Sequence, residues 1–140
     1  MGTFKLPIRV YLEDTDAQGV VYNASYFRFF ERARTEWLRS RGIDHNELRE
    51  TANLALVLSR IEVRFSVPAR LDDMLQVSAE VTELSAVRFV FEQTIHRSPG
   101  DGEALCRARA EVASVDSRSG KPRRLPADFL NGIDYGGDRA

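Results

Sequence analysis

Two carboxylates, Asp14 and Asp16, close an extended segment, and Gly19 follows them in a turn. Beyond the turn comes Asn23, and then apolar residues at three- and four-residue spacing: Tyr26, Phe29, Phe30, Ala33 and Trp37. A carboxylate can take a proton from water or add to an acyl carbon itself. A helix N-terminus offers free backbone N–H groups and a partial positive charge, which polarise a carbonyl and hold an oxyanion. A carboxylate a few residues before a helix therefore suits attack on an acyl carbonyl. Asp16 is the candidate catalytic carboxylate, with the N–H groups near Asn23 and Ala24 as the polarising element. The plain alternative is a turn aspartate, because Asp side chains readily accept from nearby backbone N–H groups.

The other reactive side chains invite weaker readings. Asp14 and Asp16 form an Asp-x-Asp pair, but hard cations need several oxygens around them, and no metal is expected. Asp14 reads as a turn residue or a support for its neighbour. Asn23 reads as a helix N-cap that could also orient a carbonyl or a water. Tyr22 and Tyr26 read as packing residues whose hydroxyls could face an acyl pocket. Glu31 is a rival carboxylate, expected to pair with Arg28 or Arg34 along the helix. His45 and His96 are isolated in polar surroundings, and no Gly-x-Ser-x-Gly elbow accompanies them. Cys106 alternates with alanines and reads as core. Phosphate-loop, dinucleotide and zinc signatures are missing from the sequence.

Positioning these groups falls to an orderly set of elements. Leu6, Ile8 and Val10 alternate with Lys5, Pro7 and Arg9, a first strand ending near Glu13, with Pro7 marking an edge. The spacing predicts a helix over 23–41, stopped by Gly42, with Glu31, Arg32, Arg34 and Glu36 off its apolar stripe. Residues 44–51 suit a short helix or a loop. A long strand over 54–67 bends near Ser59, and Pro68 to Asp73 makes a turn. Leu75 to Thr82 and Val87 to His96 form an antiparallel hairpin, and Ser98 to Gly102 is a turn. A last strand runs from Cys106 to about Val115, a short helix follows over 128–133, and 134–140 reads as a frayed tail. Strand, long helix, then four strands on short turns is an α+β pattern: an antiparallel sheet with one helix on its face.

The chain has 140 residues, 43% hydrophobic and 29% charged, with net charge −1. This suits one domain over 1–140 with a real core, and gives nucleic acid no basic surface to bind. The single cysteine allows no internal disulfide, and no signal pattern or membrane-length apolar run is present, so a cytoplasmic setting is expected.

The run Asp14-Thr15-Asp16-Ala17-Gln18-Gly19-Val20-Val21-Tyr22-Asn23-Ala24-Ser25-Tyr26, with Phe30-Glu31-Arg32-Ala33-Arg34 after it, resembles the hotdog-fold acyl-CoA thioesterases. Within them it is most similar to the 4-hydroxybenzoyl-CoA thioesterase-like, Tol-Pal-associated group. Pro68-Ala69-Arg70-Leu71-Asp72-Asp73 and Lys121-Pro122-Arg123-Arg124-Leu125-Pro126 support the likeness, which spans nearly the whole chain. The resemblance implies a hotdog fold, a curved sheet wrapped around the long helix. It also implies a homodimer or homotetramer with sites between subunits, and hydrolysis of an acyl thioester by the aspartate matching Asp16, as nucleophile or general base. The substrate would be acyl-CoA or an acyl carrier protein thioester. Coenzyme A enters as part of the substrate, with no metal or other cofactor. Many group members carry His where this chain has Asn23, so no role of that His carries over. Arg60, Arg64, Arg70 and Arg88 are candidate contacts for coenzyme A phosphates, since Arg pairs well with phosphate oxygens. Tyr22, Tyr26 and Val57, with Phe27, Phe29, Leu54 and Leu56, could shape the acyl pocket. Two other functions stay open: a hotdog hydratase or dehydratase, which typically pairs His with an acid, and a binding module for acyl-CoA or acyl carrier protein that does not turn over.

Overall fold

The computed structural model describes residues 3–133; the expected frayed tail over 134–140 lies outside the described residues. Strand β1 spans Phe4–Arg9, helix α1 Asn23–Ser40, helix α2 His45–Ala52 and strand β2 Leu54–Phe65. Strands β3 (Met74–Leu84), β4 (Arg88–Arg97) and β5 (Cys106–Asp116) follow, then the short helix α3 (Ala127–Gly132).

The five strands form one antiparallel sheet in the order β1-β3-β4-β5-β2. Pro7 therefore sits on an edge strand, where its missing N–H costs the ladder least. The register shifts between Leu58 and Arg60, which puts the expected bend at Ser59. A second shift separates Val81 from Glu83. Such bulges bend a strand and raise its twist, which curves the sheet. The first strand ends at Arg9, short of the expected Glu13, because Leu12–Asp14 winds into a 3-10 turn.

Helix α1 is buried along the stripe that its spacing predicts. Phe29, Phe30 and Ala33 are fully covered, and Tyr26 and Trp37 nearly so. They share one buried cluster with Leu75, Val77, Phe91 and Ile95, and the Trp37 ring meets Phe91 edge-on at 5.4 Å. Burying each large aromatic contributes roughly 1.5–3 kcal/mol. At the C-terminus, Ile43 N–H donates to Leu38 O at 2.9 Å and Gly42 N–H to Arg39 O at 3.0 Å. This pattern needs a left-handed residue, supplied by Gly42 at φ 77. Residues left open as helix or loop form α2, started by Asp44, whose side chain accepts from Glu47 N–H at 3.1 Å. Among the described residues no helix is long and apolar enough to cross a membrane.

Candidate active site

The acidic turn is a tight hairpin. Thr15 bridges Val21, Asp16 N–H donates to Val20 O at 2.9 Å, and Gly19 N–H returns to Asp16 O at 3.1 Å. Gly19 takes φ 79, a conformation glycine adopts without penalty. The return leg is tied to the segment before β3: Val20 bridges Arg70, and Val21 N–H donates to Ala69 O at 2.8 Å. That leg runs directly into α1. The hairpin thus carries Asp16 on a braced loop immediately before the helix.

The two carboxylates are used differently. Asp14 is buried, its Oδ2 accepting Tyr11 N–H at 2.8 Å and its backbone O accepting Tyr22 N–H at 2.9 Å and the Ser25 hydroxyl at 3.1 Å. It ties the 3-10 turn to the start of α1. Asp16 is half-buried; its Oδ1 accepts Gln18 N–H at 2.8 Å, and among the described residues its Oδ2 has no hydrogen-bond partner. One oxygen fixes the side chain and the other stays free for chemistry.

The helix start differs from the expected cap. The N-cap is Tyr22, which makes no side-chain cap bond, and Asn23 is the first helical residue. An N-cap side chain must sit outside the first turn to reach back to its N–H groups. Asn23 lies one place too late, because the hairpin claims Tyr22 N–H for Asp14 O. Among the described residues the N–H groups of Asn23 and Ala24 have no acceptor, so two donors remain at the positive end of α1. Tyr22 beside them is exposed.

A model of the thioesterase-like superfamily matches residues 10–133. The chain belongs to that superfamily. It is 43% identical over 125 residues to an acyl-CoA thioesterase, YbgC, of Haemophilus influenzae, covering 89% of this chain and 90% of that one. It is 44% identical over 127 residues to the acyl-CoA thioester hydrolase YbgC of an Escherichia coli strain, covering 91% and 92%. Among solved structures, a probable thioesterase from Bartonella henselae superposes with TM-score 0.82 at 38% identity, over 89% of this chain and all of that one. A 1,4-dihydroxy-2-naphthoyl-CoA thioesterase from Synechocystis gives 0.85 at 30% identity, over 94% and 96%. The fold is the hotdog fold, and the enzyme class is thioester hydrolase.

Several candidates stand elsewhere than the thioesterase resemblance suggests. Tyr26 is a core residue: its hydroxyl accepts Ala69 N–H at 3.0 Å and its ring meets Phe65 edge-on at 5.4 Å. Its hydroxyl is thereby engaged inside the core. Phe29 and Leu54 are likewise core. Val57 alternates with Leu56 and Leu58, which line a cavity of about 270 Å³ beside α1, so Val57 points to the opposite face. Of the phosphate candidates, Arg60 and Arg88 both pair with Glu111, at 3.8 and 2.9 Å. Arg64 has no ion pair among the described residues and stands opposite Arg107 in the β2–β5 register. Glu31 pairs with neither expected partner: Arg28 donates to the Ser25 hydroxyl, and Arg34 is buried against Gln93, with Nη1 donating to Gln93 Oε1 at 3.0 Å. The Arg34–Gln93 contact was missed because both positions look polar; the only signal was that Gln93 falls on the inward parity of Phe91 and Ile95.

Proposed function

We propose that this thioesterase hydrolyses an acyl-CoA thioester to a free carboxylic acid and coenzyme A, with Asp16 driving the attack. The observation that carries this reading is a free Asp16 oxygen on a braced hairpin whose return leg enters the helix start, where the N–H groups of Asn23 and Ala24 are unclaimed. The thioester oxygen lies on those N–H groups and gains their stabilisation as it becomes an oxyanion. Asp16 either takes the proton of a water adding to the carbonyl carbon, or adds itself to give a mixed anhydride that water then cleaves. In both routes the C–S bond breaks and the sulfur leaves with the electron pair, then takes up a proton. The two named YbgC relatives, called an acyl-CoA thioesterase and an acyl-CoA thioester hydrolase, support the carrier. Arg64, with Arg107 opposite it, and Arg70, which bridges Val20 of the hairpin, have no ion pair among the described residues and are free to meet a coenzyme A phosphate. The single cysteine is compatible with a reducing, cytoplasmic setting.

The active assembly is built from homodimers, alone or paired as a homotetramer. Strand β2 is a twelve-residue sheet edge with Val57, Leu58 and Phe65 each more than 40% exposed. Long apolar edges invite pairing with another strand, and a second copy supplies one. Light scattering should return two or four times the protomer mass; a monomer would remove the shared-site arrangement.

The test of the reaction is thiol release from short, long and aromatic acyl-CoA thioesters by the wild type and by Asp16→Asn. Asn keeps an oxygen for Gln18 N–H, so the hairpin stays formed. Loss of kcat by about 10²–10⁴-fold is expected, the range for removing a general base. Full activity in Asp16→Asn would overturn the mechanism.

A further inference from the structure

Arg34 lies within α1 on its buried side, 7% exposed. Among the described residues the one hydrogen bond of its guanidinium is to the neutral Gln93 Oε1. Among the described residues no carboxylate oxygen comes within 4 Å of its guanidinium. Burying a cation is costly, and desolvation pulls its pKa below the ordinary arginine value, opposed only in part by the more distant Glu31 carboxylate. The guanidinium carries five N–H donors in a rigid fork, and Gln93 uses one. Arg34 also lines the cavity of about 270 Å³, whose apolar wall includes Leu38, Leu56, Phe91 and Val112. At about 30 Å³ per water-sized atom, that space holds roughly nine heavy atoms.

A buried cation beside an apolar wall, with Thr35 and His45 at the cavity's polar side, suits an occupant that is anionic at one end and apolar along the rest. A carboxylate accepts two parallel N–H bonds from a guanidinium, the strongest pairing that arginine makes with an organic group. We infer that this cavity binds a small organic monocarboxylate, its carboxylate on Arg34 and its apolar body against Leu38, Leu56, Phe91 and Val112. Glu31 also lines the cavity, but it is exposed, where water and salt weaken its repulsion. The acid released by the proposed hydrolysis has this chemistry. In that respect the inference rests on the proposed function, though binding itself requires no turnover.

Calorimetric titration of the wild-type oligomer with benzoate and with its neutral isostere benzamide tests it. Benzoate is expected to bind at least about tenfold tighter than the amide, the discrimination that one charge-assisted contact supplies. Arg34→Met should lose that preference while amide binding stays, and Arg34→Lys should restore part of it. If Arg34→Met fails to fold, the wild-type acid–amide comparison decides alone. Equal affinity for acid and amide, or no benzoate binding to the wild type, would overturn the inference. Either result leaves thioester turnover untouched, whereas loss of the hydrolase reading would leave benzoate binding intact.

Discussion

Replacing Gln93 by leucine should destabilise the protein by about 3 kcal/mol, and the loss should be largely undone by also replacing Arg34 with methionine. Gln93 is 2% exposed and makes three bonds: it accepts from Arg34 Nη1 at 3.0 Å and donates to Phe30 O at 3.0 Å and Ser78 O at 3.2 Å. The charge-assisted bond contributes roughly 1.5–3 kcal/mol, and each neutral one about 1 kcal/mol. Leucine returns part of this through apolar burial, roughly 1–2 kcal/mol for a side chain of this size. It also leaves Arg34 buried with no acceptor among the described residues, the penalty already counted in the charge-assisted bond. With Arg34→Met in place the stranded charge is gone, and two apolar groups of similar shape fill the space at little cost. Urea denaturation of wild type, both single variants and the double variant, at one fixed protomer concentration, measures the cycle. The expected coupling is about 2 kcal/mol, and Gln93→Leu alone should lower Tm by about 10 °C for a chain of this length. If the two substitutions add within about 0.5 kcal/mol, the two side chains are not coupled and the reasoning fails.

Two other substitutions or conditions test the bracing of the site and the core. Tyr26→Phe should cost about 1–3 kcal/mol in urea denaturation, because it leaves the Ala69 N–H, a fully buried donor, without a partner. Ala69 O also holds the return leg of the Asp16 hairpin, so hydrogen exchange at Val21 should quicken; unchanged exchange would uncouple the two. Burial pushes the Cys106 thiol up to about 12, so in the native protein it should resist thiol reagents at pH 8 and react only on unfolding. The raised value means that the folded state keeps its proton where the unfolded chain loses it. Stability is therefore fully present below about pH 8.5 and falls as pH rises from there towards 12, by up to about 1.4 kcal/mol per pH unit. A flat urea midpoint between pH 9 and 11 would refute it.

Local pattern settled much of this molecule before any fold was known. The buried stripe of α1, the alternation of β2 to β5, the bend at Ser59 and the stop at Gly42 depend on residues within a few positions of one another, and all stand as the sequence implies. The acidic turn and the helix start it precedes were equally legible, because turn and helix are adjacent in the chain. Tertiary structure decided what depends on distant partners. Asn23 lost the capping position because Tyr22 N–H is claimed by Asp14 O across the hairpin. Tyr26 lies inward as its stripe implies, but the partner of its hydroxyl, the Ala69 N–H forty-three residues on, follows only from the fold. Arg34 reads as a surface arginine by helical spacing, yet it is buried because Gln93, fifty-nine residues away, presents an amide oxygen at its depth. A sequence announces the period of an element and the chemistry of a turn; which polar group meets which inside the core is fixed only when the sheet closes over the helix.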